Sequence, residues 1–312
     1  MRQSLLSWLL AFCESIGVPF GMAVGGILAV TLLLLTIGRA EAHGIAGNRF
    51  FVGTLTFDDP AVNDELSSIF SALKRTAHGG TAVERRLTTE TSRLLTPNLA
   101  IGAETSWIDR GGHNPSGASG VDGLRLNLKG LVFRDDPREM LLSAGLEWGL
   151  PGVGRRQLEA HGAITPGLFF GKGFGDLPDG LAALRPFAVT GAFGWERPTG
   201  RGPATDVVHW GASLQFSTLY LTGRFTGGPP AEEPLFQWLP LVELAGDTPR
   251  RGKTGMTINP GIAYVGDSYQ IAAELILPLN REAGRAPGFM VKLLLFTDDL
   301  LPSLFGKPLF AD

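Results

Sequence analysis

The stretch that decides the fold of this chain is Glu139-Met140-Leu141-Leu142-Ser143-Ala144-Gly145-Leu146-Glu147-Trp148-Gly149-Leu150. Most of its apolar side chains share one parity, at Met140, Leu142, Ala144, Leu146, Trp148 and Leu150. Among the residues of the other parity are Glu139, Ser143, Gly145, Glu147 and Gly149. Successive side chains of a β-strand point to opposite faces, so an alternation with a period of two predicts a strand with one apolar face.

Segments with this alternation recur along the chain, separated by turn signals such as Asp135-Asp136-Pro137 and Gly266-Asp267. Eleven are visible, at 83–95, 98–109, 123–134, 139–150, 160–174, 184–197, 207–225, 235–247, 254–265, 268–280 and 288–298. Single-chain bacterial barrels have even strand numbers, so we expect about twelve strands. The extra strand is expected either from 48–57 or from a split of 207–225, where the apolar parity changes near Ser217.

These patterns predict an all-β fold, a closed antiparallel transmembrane β-barrel. A closed barrel is the only sheet that leaves no backbone group unpaired in lipid. Runs of about ten residues with alternating hydrophobicity are the sequence signature of such barrels. The alternatives are a soluble β-sandwich or a periplasmic β-protein tethered by an N-terminal anchor, in which the apolar parity would be hidden in a core.

An apolar leader precedes the strands. Residues 15–38 carry no charged side chain, and Ala40 and Ala42 supply the small residues of an A-x-A cleavage site. We therefore expect 1–42 to be a signal peptide cleaved before His43; about 20 apolar residues also suffice for an uncleaved membrane anchor. The single cysteine, Cys13, lies in this leader. A mature chain without thiols suits export to an oxidising compartment.

Between the leader and the first clear alternation, residues 43–82 are expected to be a preamble or a plug that enters the lumen, and 83–312 the barrel. Within the preamble, 66–75 has apolar residues at helical spacing, at Leu66, Ile69, Phe70 and Leu73. With 27 basic and 30 acidic residues, the whole chain has a net charge of −3. The chain therefore has no overall positive charge that would indicate a nucleic-acid partner.

The strand parity opposite to the apolar one would line the barrel interior. The candidate lumen-lining residues are Glu90, Glu104, Arg125, Asn127, Lys129, Glu147, Gln215, Glu274 and Lys292. Two interpretations stay open: a path for a solute, or an internal network of ion pairs that supports the wall, since charges buried in a barrel are normally paired. Leu131, Phe133 and Phe169 also have the inward parity and favour a hydrophobic solute.

Histidines and serines offer two further candidates. Cleavage before His43 would place a free amino terminus beside an imidazole, a chelating pair suited to Cu(II); the alternative is a mature terminus that happens to start with histidine. His209 and Ser213 share a strand parity, but four residues along a strand span about 13 Å, too far for a nucleophile and its base. We find no acid–base or nucleophile constellation, so we expect neither enzymatic activity nor a cofactor.

The hairpin rhythm and the outward apolar parity over 83–312, with a last strand near 289–297, resemble proteobacterial outer-membrane β-barrels grouped with the MetA pathway of phenol degradation. The resemblance is architectural and carries over no functional residue. It implies a transporter-type barrel for hydrophobic compounds. The chain departs from this pattern where 298–312 follow the last strand in place of a terminal aromatic residue, which leaves the identity of the closing strand open.

The sequence thus predicts a porin-like channel in the outer membrane of a Gram-negative bacterium, for passive passage or binding of a small hydrophobic solute. The expected partners are outer-membrane lipid, that solute and the barrel-assembly machinery. The alternatives are a structural or assembly-partner barrel whose plugged lumen transports nothing, and the tethered periplasmic β-protein.

Overall fold

The computed structural model describes residues 44–77, 80–111, 118–155, 158, 162–199, 204–221, 236–305 and 307–310. The expected signal peptide, its cleavage site and His43 lie outside the described residues. Signal-peptide cleavage and copper binding at His43 therefore stay predictions.

Twelve strands form a closed antiparallel barrel. A small hairpin precedes them, with β1 at Ile45–Ala46 and β2 at Arg49–Phe50. The barrel strands are β3 Glu65–Ala77, β4 Gly80–Thr96, β5 Leu99–Gly111, β6 Ser119–Asp135, β7 Met140–Gly149, β8 Ala163–Gly173, β9 Phe187–Pro198, β10 Val207–Phe216, β11 Gln237–Pro249, β12 Gly255–Val265, β13 Tyr269–Pro278 and β14 Gly288–Phe296. Each pairs with the next in sequence, and β14 pairs with β3. The predicted closed barrel is confirmed, and its closing strand is β14.

The outward face of the barrel is apolar, as the strand parity predicts. In the β6–β7 hairpin, Leu128 lies opposite Leu146, while the adjacent pair of Asn127 and Glu147 belongs to the inward face. Large apolar side chains exposed on the outward face include Ile101, Leu128, Leu146, Trp148, Ile164, Leu168, Phe193, Leu214, Ile262, Ile271, Leu275 and Val291. The β-sandwich alternative is wrong, because the sheet closes on itself and leaves this apolar face exposed.

The first barrel strand is β3, which the sequence pattern placed in the preamble. The barrel therefore begins with β3 and not at residue 83, and the helical spacing of the apolar residues in 66–75 occurs in a strand. Leu66 and Phe70 face outward, whereas Ile69 and Leu73 share the inward parity of their β14 neighbour Lys292. A strand with apolar residues on both faces imitates the spacing of a helix.

Among the described residues, neither expected source adds a strand to the barrel, and the twelfth strand is β3. β10 ends at Phe216, next to the change of parity, and a short helix at Thr218–Leu221 follows. Residues 51–57 run inside the barrel and add no strand to its wall. The remaining described helices are a 3-10 helix at Asp179–Leu184 and single turns at Thr297–Leu300 and Pro302–Phe305. No helix in the described part of the chain is long and apolar enough to cross a membrane.

The barrel has two distinct ends. With twelve antiparallel strands, the start of β3 and the end of β14 lie at the same end, which we call the proximal end. It carries the short turns 97–98, 136–139 and 266–268 and the two longer connections, from β8 to β9 and from β10 to β11. The other six connections lie at the opposite, distal end. The chain therefore enters and leaves the barrel on one side.

Candidate functional site, an inserted segment and a charged vestibule

Residues 49–64, here called the inserted segment, occupy the proximal half of the barrel interior. The segment starts at the proximal rim, where Arg49 donates hydrogen bonds to the carbonyls of 185 and 186. Its middle reaches Glu243, at the centre of β11. It returns to the rim at Asp64, which accepts a hydrogen bond from the amide of Leu94. The chain thus makes a U-shaped excursion into the lumen before β3 begins.

Two wall glutamines bind the backbone of the inserted segment. Gln215 accepts a hydrogen bond from the amide of Val52 at 3.1 Å, and Gln270 accepts one from the amide of Gly53 at 3.0 Å. Gln270 also donates to the carbonyl of Gly53 at 2.8 Å. All four residues are buried or inward-facing, and buried backbone groups need such partners. The glutamines therefore take the role that a neighbouring strand has in a sheet.

A carboxylate and an ammonium group continue this set of contacts towards the middle of the barrel. Glu243 accepts hydrogen bonds from the amides of Leu55 and Thr56, at 3.0 and 2.9 Å. Lys292 donates to the carbonyl of Thr54 at 2.9 Å. Both wall side chains are buried, and hydrogen bonds to ionised groups are about twice as strong as neutral ones. The backbone of 54–56 is therefore held to the wall by Glu243 and Lys292.

Two phenylalanines of the inserted segment sit against glycines of the wall. A Cβ built on Gly171 would lie 3.0 Å from the ring of Phe51, and one built on Gly211 would lie 2.6 Å from Cγ of Phe57. Both distances are shorter than a packed carbon contact, so a larger residue at either glycine would displace the ring. The wall has no side chain where the segment places its aromatic rings.

The acidic tip of the segment, Asp58 and Asp59, faces lysines of the wall. Lys129 Nζ lies 2.9 Å from the carboxylate of Asp58. Asp59 is buried, and burial raises the pKa of its carboxyl above the ordinary value, although Lys129 and Lys292 act in the opposite direction. The tip is therefore anchored by charge in addition to the backbone contacts.

At the proximal rim, Arg49, Glu139 and Tyr220 form a buried cluster that we call the proximal latch. The Arg49 guanidinium lies 3.2 Å from Glu139, and it donates to the carbonyls of Pro186 at 3.1 Å and Arg185 at 2.6 Å. Its carbon atom lies 4.1 Å from the centre of the Tyr220 ring, whose hydroxyl donates to Glu139. A buried charge is tolerated only when it is paired and hydrogen-bonded in this way.

The distal half of the interior contains a cavity of about 200 Å³, the distal vestibule. Arg125 lies 2.6 Å from Glu104 and 3.6 Å from Glu147, so one guanidinium joins two carboxylates. The charged residues that line the vestibule are Arg86, Glu104, Arg110, Asp122, Arg125, Glu147 and Glu196. The vestibule is therefore polar and of mixed charge.

The structure divides the nine predicted lumen residues into groups. Three line the distal vestibule: Glu104, Arg125 and Glu147. Three bind the inserted segment: Lys129, Gln215 and Lys292. Asn127 donates to Glu90 at 2.7 Å, and Glu274 is buried beside Glu243. Contact with a solute stays a prediction for all nine.

Sequence reasoning missed Glu243 and Arg49. Glu243 shares the inward parity of Leu239 and Leu241 on β11, and a carboxylate that continues an apolar row is a signal that could have marked it. Arg49 had no such signal, because its partner Glu139 is 90 residues away and belongs to a turn.

The inward apolar residues that favoured a hydrophobic solute contact the protein itself. Leu131 packs against the cluster that contains Phe51, and the ring of Phe169 lies 4.9 Å from Lys129 Nζ. The inward placement of Phe133 is wrong. A β-bulge between Leu131 and Phe133 shifts the register by one residue, which turns Phe133 outward.

No catalytic arrangement forms around His209 in the described residues. Its ring nitrogens lie 2.7 Å from Asp247 and 3.4 Å from Glu196, both carboxylates. Ser213 is buried, and in the described part of the chain its hydroxyl has no hydrogen-bond partner. Within the same part, no group of three or more His, Cys, Asp or Glu side chains could hold a metal ion. The charged groups around His209 therefore form ion pairs with one another.

Solved structures similar to this chain include a KdgM porin, LpxR from Salmonella typhimurium and the COG4313 outer membrane channel from Pseudomonas putida F1. The KdgM porin is 9% identical, with a TM-score of 0.45, and the match covers 74% of this chain and 98% of that one. LpxR is 9% identical, with a TM-score of 0.45 and coverages of 74% and 99%. The COG4313 channel is 12% identical, with a TM-score of 0.46 and coverages of 75% and 95%.

No family model and no curated protein matches the chain. Structural likeness at so low an identity concerns the fold alone, and the fold of this chain already follows from its strand pairing. The resemblance to barrels of the MetA pathway stays a prediction.

Proposed function

We propose that the protein is a porin-like outer-membrane channel that the inserted segment closes at its proximal half and opens by withdrawing. The observation that carries the proposal is that the distal vestibule and the inserted segment follow one another along the barrel axis. A solute in the distal vestibule meets, halfway through the barrel, a segment held by Glu243 and Lys292. Passage through the lumen therefore requires these contacts to break.

The outward face supports a location in the outer membrane of a Gram-negative bacterium. Exposed apolar side chains surround a closed sheet with an even number of strands, the architecture of single-chain outer-membrane barrels. Three of the five proximal connections are short turns, which favours the periplasmic side for the proximal end. Outer-membrane lipid and the barrel-assembly machinery are the partners that this location implies.

Withdrawal of the segment does not require the wall to unfold. The segment contributes no strand to the barrel, and its backbone is bound by side chains of the wall. Breaking these contacts exposes polar groups that water in the lumen can hydrate. The closed and open forms can therefore share one barrel.

The vestibule favours a small polar solute. Its charged pairs, such as Arg125 with Glu104, offer donors and acceptors to a hydroxylated or zwitterionic molecule. A hydrophobic solute, which Leu131 and Phe169 favoured, has less support because Leu131 packs against the inserted segment and Phe169 lies beside Lys129.

A barrel that transports nothing is the alternative function. Two features favour it: the close packing of Phe51 and Phe57 against wall glycines, and the buried proximal latch. Both make the inserted segment a closely packed part of the lumen. If the inserted segment never withdrew, the protein would be a rigid outer-membrane scaffold whose distal vestibule leads nowhere. Conductance with and without a covalent lock on the segment separates the two functions.

The lock is a disulfide between Phe57→Cys and Gly211→Cys in a Cys13→Ser background. Cγ of Phe57 lies 2.6 Å from a Cβ built on Gly211. One further carbon–carbon bond of about 1.5 Å places the two Cβ atoms within about 4 Å, the separation found in disulfides. The parent Cys13→Ser protein and each single cysteine variant are the controls, and heat-modifiable gel migration reports that each barrel is folded.

Current is measured across a planar bilayer before and after reduction. We expect openings from the parent protein, none from the oxidised double variant, and recovery after a reductant is added. Equal currents from the oxidised and reduced forms would contradict a gate formed by the segment. Silence of the parent and of a variant that lacks the wall contacts, Glu243→Ala with Gln215→Ala, would favour the scaffold function.

A further inference from the structure

We propose that the C-terminal segment, described at 297–305 and 307–310, is a membrane-interface anchor that inserts Leu304, Leu309 and Phe310 into the lipid leaflet at the proximal end. The inference rests on the membrane location under the proposed function and concerns a different surface. Its partner is the boundary between acyl chains and headgroups. Four features of the segment point to lipid.

The segment lies over the outer wall of the barrel. Leu295 on β14 is paired with Leu66 on the outward parity, yet it is only 5% exposed. The helix at Thr297–Leu300 follows β14 directly and also contacts β3. An outward-parity leucine is therefore buried where the chain leaves β14, beside this helix.

Arg93 ties the segment to the wall and satisfies its carbonyl groups. Arg93 lies opposite Ile101 on the outward parity of β4. Its guanidinium donates to the carbonyls of Leu304 at 2.9 Å, Phe305 at 3.1 Å and Lys307 at 2.7 Å, and lies 5.0 Å from the centre of the Phe305 ring. Carbonyls at the end of a helix need partners, above all where water is scarce. Arg93 therefore supplies hydrogen-bond donors to these carbonyl groups.

The segment also closes an open strand edge. The first residue of β3, Glu65, pairs with Ser92, so the end of β4 projects beyond its neighbour. There the amide of Leu309 donates to the carbonyl of 94 at 3.1 Å, and that of Phe310 to the carbonyl of 95 at 2.8 Å. Unpaired strand edges do not occur in lipid, and the segment pairs this one.

The surface that remains is apolar and carries one cation. Leu304, Leu309 and Phe310 are 66%, 57% and 69% exposed, among the most exposed large apolar side chains of the described residues. The exposed Lys307 lies between them in sequence. Apolar side chains beside a lysine are typical of segments at the headgroup boundary, where the ammonium group reaches the lipid phosphates. The patch continues the apolar outward face, so lipid is the occupant that fits.

The test uses depth-dependent fluorescence quenching in vesicles of phosphatidylethanolamine and phosphatidylglycerol. Phe310→Cys in a Cys13→Ser background is labelled with a nitrobenzoxadiazole probe, and lipids with a nitroxide near the headgroup or deep in the acyl chain act as quenchers. Leu275→Cys is the lipid-facing control, since Leu275 is exposed on the outward face of β13. Asp267→Cys is the aqueous control, an exposed turn residue at the same end.

We expect the Phe310 label to be quenched by the shallow nitroxide at least threefold more than the Asp267 label, and to be protected from aqueous iodide. A Phe310 label that behaves like the Asp267 label would overturn the anchor, and so would one shielded from both lipid and iodide, which would indicate a protein partner. The Leu275 label tests the membrane location itself. If it were not quenched by either lipid, the proposed function would fail independently of the anchor.

Discussion

Arg49 and Glu139, 90 residues apart in sequence, form a buried ion pair with a nitrogen–oxygen distance of 3.2 Å. Taking two charges out of water costs several kcal/mol per ion, and the pair is stable only because further groups bind it. Here the carbonyls of 185 and 186 and the hydroxyl of Tyr220 do so. The start of the inserted segment is thereby fixed to three separate connections of the proximal rim.

Replacement Arg49→Met should release the inserted segment. It leaves the Glu139 carboxylate buried without its cation, which costs about 3–5 kcal/mol. We expect proteinase K to cut within 49–64 at least tenfold faster, with the barrel intact, as read by mass spectrometry. The double variant Arg49→Met/Glu139→Met should be cut more slowly than the single one, because no buried charge is left alone. Lys172→Met, which breaks an ion pair with Asp176 near the rim, should change the cleavage little.

Replacement Glu243→Ala should loosen the middle of the segment. The amides of Leu55 and Thr56 lose their acceptor, and each buried unpaired group costs about 1–3 kcal/mol. We expect more frequent channel openings in the planar bilayer. Glu104→Ala is the matched control, because that carboxylate contacts Arg125 in the vestibule. If both variants opened equally often, the gate would not depend on this contact.

A larger side chain at Gly211, against which the Phe57 ring packs, should displace the tip of the inserted segment. Gly211→Val places methyl groups where the ring lies, and overpacking typically costs about 1–3 kcal/mol. We expect more openings than in the wild type, and the added replacement Phe57→Ala should lessen the strain. Gly130→Ala is the control, because a Cβ there would lie 3.5 Å from its nearest neighbour, a methyl group of Leu99, which is an ordinary packing distance.

The barrel was predictable because its signal is local. Each strand such as β7 shows its own alternation, and the turn Asp135-Asp136-Pro137 fixes which strands are neighbours. The start of the barrel was not predictable in this way. In β3, Leu66 and Phe70 face outward, whereas Ile69 and Leu73 face inward. The apolar residues of this strand therefore do not share one parity.

The contents of the lumen were less predictable than its wall. Parity placed Lys129 and Gln215 inside, and both lie there. It could not identify their partners, because the inserted segment is joined to the wall by contacts between residues up to 238 positions apart, as in Thr54 and Lys292. Phe133 shows a second limit, since one bulge reverses the parity of every residue that follows it on the strand.

The parity of β6 can be tested by two adjacent substitutions. Leu128 is exposed on the outward face, whereas Asn127 points inward and donates to Glu90. Leu128→Arg places a charge in lipid and should cost about 2–4 kcal/mol near the membrane midplane. Asn127→Arg places the same side chain among carboxylates of the lumen, where it can pair. We therefore expect defective assembly, read by the loss of heat-modifiable migration, only for Leu128→Arg. Equal assembly of both variants would contradict the outward assignment of Leu128, and with it the inward assignment of Arg125 and Lys129 on which the vestibule and the gate depend.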